Sequence, residues 1–209
     1  NEFILIKDND SIKEVNIDDN AFSRITVSES NDIIIYDIYN IYIYNLKDGK
    51  LKKEIDLDDE IISICTTDKY LMVQTIQAVK KYNLNNGEFI EDIEELQEYV
   101  DGDITYKLKL FNGSKEDEFF LVDSTGVYSV DDENYNINEI IDTNAYLFNS
   151  SEMELSHFLQ LDSENFLAVY YGEDGMEMYT YSYSDELANK ELEEITIYSL
   201  YESESIRQY

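Results

Sequence analysis

Apolar and polar residues alternate along this chain in a pattern that comes round four times. Four short runs are almost wholly apolar: Ile33-Ile34-Ile35-Tyr36, Tyr70-Leu71-Met72-Val73, Phe119-Phe120-Leu121-Val122 and Phe166-Leu167-Ala168-Val169-Tyr170. Runs of this length with no polar alternation suit strands covered on both faces. After each comes a short polar turn and an alternating strand that carries tyrosine. Then follow a tight turn and a more charged strand such as Leu51-Lys52-Lys53-Glu54-Ile55. Charge on such a strand suits an outer edge, where it blocks edge-to-edge pairing.

The third element of the pattern is a repeat in the strict sense. Tyr44-Asn45-Leu46-Lys47-Asp48-Gly49-Lys50-Leu51 returns as Tyr82-Asn83-Leu84-Asn85-Asn86-Gly87-Glu88-Phe89, an offset of 82 minus 44, or 38 residues. A weaker copy stands at Val127-Tyr128-Ser129-Val130-Asp131-Asp132-Glu133, and a fourth at Met178-Tyr179-Thr180-Tyr181-Ser182. Lys47-Asp48-Gly49 and Asn85-Asn86-Gly87 supply residues that tolerate positive φ in a hairpin turn.

A unit of roughly 40–50 residues with about four short strands is the signature of a propeller blade. The chain therefore predicts an all-β, propeller-like domain of about four four-stranded blades, over residues 22–56, 60–94, 105–142 and 156–199. Residues 2–17 read as the last two strands of a preceding blade. A β-sandwich of the same strands is the alternative that turn spacing alone leaves open. No Trp-Asp or Gly-His signature is present, so the repeat is not of the WD40 type. Two stretches break the pattern. Residues 93–100 read as a short helix or a frayed strand, and 143–157 as a longer loop with a helical turn.

Composition narrows the chemistry. Net charge is -32, from Asp+Glu 47 against Lys+Arg 15. Such a surface repels phosphate backbones and anionic lipid, which argues against nucleic acid and direct membrane-surface binding, and no direct membrane insertion of this segment is expected. Pro 0 and Trp 0, with abundant Ile, Asn, Lys, Asp and Tyr, fit the A/T-rich coding of a low-GC bacterium. The single Cys65 lies in an apolar run and predicts a small buried hydrophobe, with no disulfide within the chain. No run approaches 18 apolar residues. The chain opens at Asn1 almost inside a strand, as expected of a segment of a longer precursor.

Catalytic and cofactor signatures are sparse, and the reading is of a protein that is not an enzyme and carries no cofactor. His157 is the only histidine, so a His-pair metal site or a Ser-His-Asp triad has little to draw on. Arg24 and Arg207 are the only arginines, too few to clamp an acidic sugar. There is no Gly-x-Ser-x-Gly and no Walker sequence. Carboxylates cluster at Asp56, Asp58, Asp59 and Glu60, at Asp131, Asp132 and Glu133, at Asp8 and Asp10, and at Glu173 and Asp174. None has EF-hand spacing, and each is expected to be a solvated acidic turn, with structural calcium as the sharper alternative.

Tyr 19 is the remaining oddity. Strand packing is the ordinary role of such residues. The functional reading is an aromatic surface for carbohydrate or protein, with Tyr36, Tyr39, Tyr170, Tyr171 and Tyr179 as candidate contacts.

The tail runs Ile195-Thr196-Ile197-Tyr198-Ser199-Leu200-Tyr201, then Ser203 and Ser205-Ile206-Arg207-Gln208. It reads as a strand, a turn and a helix start. It resembles the opening of bacterial, notably clostridial, extracellular solute-binding lipoproteins of ABC importers. That resemblance implies a domain over 1–192 and, over 193–209, a linker with the start of a solute-binding domain. It also implies an extracellular location and anchorage through a lipidated N-terminus outside this chain. The function expected is a non-catalytic binding or scaffolding module linked to ABC import. A carbohydrate-active propeller enzyme and a purely structural spacer are the alternatives.

Overall fold

The computed structural model describes residues 2–8, 11–17, 24–28, 32–100, 108–122, 126–142, 154–162, 164–172, 175–182 and 198–199. Strands come in chain order as β1 (Glu2–Asp8) and β2 (Ser11–Ile17), then β3 (Arg24–Val27), β4 (Asp32–Tyr36), β5 (Asn40–Asn45) and β6 (Leu51–Asp56). Next are β7 (Ile61–Thr66), β8 (Tyr70–Thr75), β9 (Val79–Asn83) and β10 (Phe89–Asp92). β11 (Lys109–Asn112), β12 (Glu118–Val122), β13 (Gly126–Asp131) and β14 (Ile137–Asp142) follow. The last are β15 (Glu154–Gln160), β16 (Asn165–Gly172), β17 (Gly175–Ser182) and β18 (Tyr198–Ser199). They form one hairpin, β1-β2, and four four-stranded sheets in which each strand pairs with its neighbour in sequence. The pairings β1-β2, β3 through β6, β7 through β10, β11-β12 and β15 through β18 are all antiparallel.

This is the blade pattern expected from the repeat, and it replaces the β-sandwich alternative. Short consecutive hairpins close each sheet before the chain moves on. Among the described residues no helix is long and apolar enough to cross a membrane. The stretch after β10 is helical, a 3-10 turn at Glu94–Leu96 leading into α1 (Gln97–Val100). Residues 143–153 of the expected insertion lie outside the described residues, and its last part, 154–157, is strand rather than loop. In the tail, Tyr198–Ser199 pairs with β17 as the fourth strand of the last sheet. The rest of 193–209 lies outside the described residues.

The chain divides into two compact units, residues 1–123 with 128–138, and residues 124–127 with 139–209. In the first, pleating sends alternate side chains to opposite faces, so each apolar strand feeds two cores. Ile34, Tyr36, Ile41, Ile43 and Ile55 from the first sheet meet Ile61, Ile64, Leu71, Val73, Tyr82 and Leu84 from the second. Cys65, Met72 and Val79 on the other face of the second sheet meet Leu110, Phe119, Leu121 and Val130 of the third. Leu96 and Val100 of the helical segment fill the same layer. Side chains of this size, fully buried, stabilise the fold by up to about 1.5–3 kcal/mol each.

Polar side chains tie the first strands of three sheets together. Arg24 donates to the Ile62 carbonyl at 3.1 Å. Ser63 Oγ donates to Gln74 at 2.6 Å and accepts from Leu110 N at 2.9 Å. Asn112 accepts from Thr66 N at 2.9 Å and donates to the Val27 carbonyl at 3.3 Å. Outer strands carry the charge, as expected: Leu51 to Glu54 of β6 and all of β10 are exposed.

In the second unit, Phe158 and Phe166 stack with ring centroids 5.6 Å apart. Cross-strand register puts Ala168 and Tyr179 on the same face as that pair.

Candidate functional site

The turns after the third strand of the first three blades share one geometry. Asn45, Asn83 and Asp131 open them. The backbone N–H of Gly49, Gly87 and Tyr135 donates to the carbonyl of Asn45, Asn83 and Asp131 at 2.7, 2.8 and 3.1 Å. A second bond runs from the N–H of Asn45, Asn83 and Asp131 to the carbonyl of Lys50, Glu88 and Asn136. The opening side chain accepts from the N–H two residues on, at Lys47, Asn85 and Glu133. These side-chain acceptors mimic a backbone turn, which is why Asn and Asp stand there.

The third copy departs from the others at two positions. Gly49 and Gly87 have φ of 69° and 67°, which glycine adopts without a Cβ penalty. Tyr135 holds the same place with φ 54°, a conformation that costs a bulky residue of order 1 kcal/mol or more. Leu46 and Leu84 occupy the second position of their turns. In the third turn the residue is Asp132, only 1% exposed.

Asp132 was expected in a solvated acidic turn, and the fold places it inside instead. Its N–H donates to the Asp117 carbonyl at 2.9 Å, just as Leu84 N donates to the Lys69 carbonyl at 2.9 Å. That bond draws the side chain into the slot a leucine fills one blade earlier. Thr67 hydrogen-bonds the carboxyl group. The Oδ1 atom has no hydrogen-bond partner among the described residues. Burial raises the carboxyl pKa above its usual value, and the bond from Thr67 and the Lys81 charge only partly offset that rise. Neighbouring Asp131 is shifted the other way, because the N–H groups of Asn134 and Glu133 donate to its carboxylate.

Lys81 lies beneath. It projects from β9 and is 4% exposed. Its ammonium donates to the Asp132 carbonyl at 2.6 Å and to the Tyr135 hydroxyl at 2.9 Å. It sits 4.0 Å from the Tyr70 ring centroid and 4.9 Å from that of Tyr135. The Tyr135 hydroxyl in turn donates a hydrogen bond to Glu91, and burial followed by that carboxylate drives the phenol pKa up. The cation is thus satisfied by a carbonyl, a hydroxyl and two ring faces.

Over Asp132 opens a cleft of about 650 Å³. Asp68 and Lys69 of the β7-β8 turn, residues 114–117 of the β11-β12 turn and Asp132 line it. Backbone bonds hold these loops together, among them Asp68 N to the Glu116 carbonyl at 2.8 Å. Gly113 starts the β11-β12 turn because a Cβ there would stand 2.2 Å from the Glu118 carbonyl oxygen. Four carboxyl groups, Asp68, Glu116, Asp117 and Asp132, face two lysines, so the lining carries 2 minus 4, or -2. Both lysines are already paired, Lys69 with Glu133 at 3.0 Å and Lys115 with Glu118 at 2.9 Å. No group of three His, Cys, Asp or Glu able to hold a metal occurs among the described residues.

The tyrosines proposed as ligand contacts separate into two classes. Tyr36 and Tyr170 are core residues, 6% and 3% exposed. Tyr36 takes a hydrogen bond from Arg24, and Tyr170 meets Tyr179 edge-on at 5.5 Å. Tyr179, half-buried, donates to Glu177. Tyr39 and Tyr171 are exposed, the first in the β4-β5 turn and the second on β16 opposite Met176. Tyr36 and Tyr170 therefore offer no surface to a ligand, because pleating turns them to covered faces. Cys65 is fully buried, as expected. His157 is exposed on β15 with Nδ1 2.7 Å from Ser156 Oγ. The signal that could have found Asp132 and Tyr135 was present in the repeat itself, as the mismatch of Leu and Gly in the third copy.

No protein-family model matches the chain, and no curated protein matches it by sequence. Solved structures do. Hydrazine synthase of Kuenenia stuttgartiensis is similar at a TM-score of 0.52 and 11% identity, over 76% of this chain and 45% of that one. The WD40 domain of Toxoplasma gondii coronin gives 0.52 and 10%, over 82% and 48%. The β-propeller domain of Cps50 (Swd1) from Myceliophteria thermophila gives 0.50 and 9%, over 79% and 53%. The fold is that of a β-propeller. At these identities the likeness is one of fold alone, and the chain spans about half the length of each of these proteins.

Proposed function

We propose that this β-propeller chain is a non-catalytic binding module whose ligand seats in the cleft above Asp132. One observation carries the reading. A carboxylate stands where the repeat places a leucine, buried, with one oxygen unpartnered, on a residue that lines a cleft. Burying such a group costs free energy that a purely structural blade would avoid by keeping the leucine. The strained Tyr135 lies in the same turn, and strain of this kind gathers at functional sites.

The scarcity of catalytic side chains supports a binding role over an enzymatic one. His157 is the only histidine, and Arg24 is engaged between the first two sheets. An extracellular position, as part of a solute-binding lipoprotein of an ABC importer, rests on the resemblance of the tail alone. The parent reading frame tests that part. A lipobox upstream and an α/β receptor domain downstream are expected, and a frame with neither refutes it.

The binding reading is tested by thermal-shift screening of cations, anions and sugars against the protein and its Asp132→Asn variant. A compound that raises the Tm of the unaltered protein and not of the variant is the expected result. If no compound separates the two, the cleft is not a binding site.

A further inference from the structure

We propose that the tips of the β4-β5 and β8-β9 turns form a docking surface for a basic, amphipathic segment of a partner protein, with Ile38, Tyr39 and Ile76 as its apolar centre. Antiparallel pairing puts these two turns and the linker from β6 to β7 at one end of the first two blades. The β5-β6 and β7-β8 turns, and with them the cleft, lie at the other end, so the surface stands independently of the cleft. Ile38 is 50% exposed, Tyr39 49% and Ile76 38%. Backbone bonds gather them. Ile61 N donates to the Ile38 carbonyl at 2.7 Å and Leu57 N to the Tyr39 carbonyl at 2.8 Å. Ile76 N donates to the Glu60 carbonyl at 3.2 Å. Both tips are thus laced to one linker, at its adjoining residues Glu60 and Ile61.

The turn itself does not call for apolar residues there. Asp37 accepts from the N–H of Tyr39 and Asn40 and from the Asn40 side chain. Asp162 and Asp131 bond Asn165 and Asn134 and the residue before each in the same way. Those two pairs enclose Ser163-Glu164 and Asp132-Glu133, whereas Asp37 and Asn40 enclose Ile38-Tyr39. Single exposed apolar residues are ordinary, but a gathered set rimmed by polar groups marks an interaction surface. The charge of the rim selects the partner. Segments 37–40, 56–61 and 75–79 hold Asp37, Asp56, Asp58, Asp59 and Glu60 and no Lys or Arg, a charge of 0 minus 5, or -5. Turns at the other end of the blades carry Lys47, Lys50 and Lys69. A second copy of the chain would bring the same -5 and be repelled, as would anionic lipid. A polypeptide with lysine or arginine around apolar anchors matches both the centre and the rim. The Asp37 bonds and those from Gln77 N and Ala78 N to Thr75 Oγ1 hold both tips in place, so docking orders little backbone.

The test is fluorescence anisotropy on the full chain with four labelled peptides, joined by sedimentation velocity. Two peptides combine leucine and lysine, one at helical and one at alternating spacing. The others are all-lysine and leucine-glutamate. The apolar variants are Ile38→Ser with Tyr39→Ser, and separately Ile76→Ser. The charge variant is Asp58→Asn with Glu60→Gln. Controls at the other end of the blades are Leu51→Ser, which removes a similarly exposed apolar group, and Asp48→Asn with Glu88→Gln. Circular dichroism confirms folding, and if Ile76→Ser does not fold the double apolar variant carries the test. At least one leucine-lysine peptide should bind, more weakly as salt rises. Its affinity should fall about tenfold or more in the double apolar variant and about threefold or more in the charge variant, and less than about twofold in either control. Equal loss in variants and controls, none in any, or equal binding of the all-lysine peptide overturns the proposal as general charge attraction. Tighter binding of the leucine-glutamate peptide overturns the basic partner. A dimer that the double apolar variant dissolves makes this a surface between copies and overturns it too. Binding of neither leucine-lysine peptide removes the docking surface and leaves the cleft untouched.

Discussion

Asp132 holds in the third blade the turn position that Leu84 holds in the second, each anchored by its own N–H to the carbonyl of a neighbouring turn at 2.9 Å. One turn position thus receives a leucine that belongs to a core and a buried carboxylate on a residue that lines a cleft. The backbone decides where both side chains go. Only the chemistry differs, and with it the energetic consequence.

Asp132→Asn should raise stability at neutral pH. The folded-state pKa of Asp132 lies above its unfolded value of about 3.9, so ionising it in the folded protein costs stability. That cost is absent below the unfolded pKa and grows as pH rises through the folded one. The gain from Asp132→Asn should therefore be full at pH 7 and vanish near pH 3. Paired urea melts at the two pH values measure it. Equal stability of the two proteins at pH 7 would show that the carboxylate is not strained by burial.

Lys81→Met should destabilise the protein by about 2–4 kcal/mol, beyond what the lost ring contacts account for. The change strands the Asp132 carbonyl and the Tyr135 hydroxyl without their buried donor. Tyr135→Phe, which leaves the carbonyl bonded, should cost about 1 kcal/mol. Chemical denaturation of both variants checks the order.

Gly113→Ala should be far more damaging than Gly87→Ala. At Gly113 a Cβ meets the Glu118 carbonyl oxygen at 2.2 Å, and backbone cannot move aside. At Gly87 the obstacle is the flexible Lys53 side chain at 2.5 Å, together with a φ of +67°. The second change should cost about 1–2 kcal/mol. The first should also open the β11-β12 turn that lines the cleft, which amide hydrogen exchange at residues 114–117 would reveal.

Cys65 should stay silent toward thiol reagents until the protein unfolds. It is fully buried, and burial pushes its thiol pKa well up, so neither access nor thiolate is available. Ellman's reagent should report no free thiol in buffer and one equivalent in denaturant. Reaction in buffer would show that the layer between the second and third sheets opens readily.

Stability should rise with salt across the range where screening acts. The net charge of -32 repels itself, and the screening length shortens to about 10 Å at 0.1 M. Scanning calorimetry from low to high sodium chloride should show Tm increasing. A flat response would mean that the acidic residues are compensated locally.

Much of the architecture was legible from residue order. The apolar runs marked the central strands. Lys47-Asp48-Gly49 and Asn85-Asn86-Gly87 marked two of the turns, and the charged strands marked the edges. The helical segment at 94–100 was less clear, because its two buried residues, Leu96 and Val100, are too few to establish a period. For the tyrosines, alternation separates the two faces of a strand but does not say which face a neighbouring sheet covers. Tyr36 and Tyr39 are near neighbours in a similar local sequence, yet one is core and the other surface.

Local sequence by itself determined the blades, since strand pairing here is between consecutive segments and needs only apolar runs and turn residues at the right spacing. It also contained the departure of Asp132 and Tyr135 from the repeat. What that departure means was decided only by tertiary structure. An aspartate in a turn is solvated by default. It becomes a buried, half-satisfied acceptor when the loops of two adjacent blades close over it, through hydrogen bonds such as those joining Asp117 to Asp132 and Glu116 to Asp68. Burial depends on which segments meet in space, and no single turn carries that information.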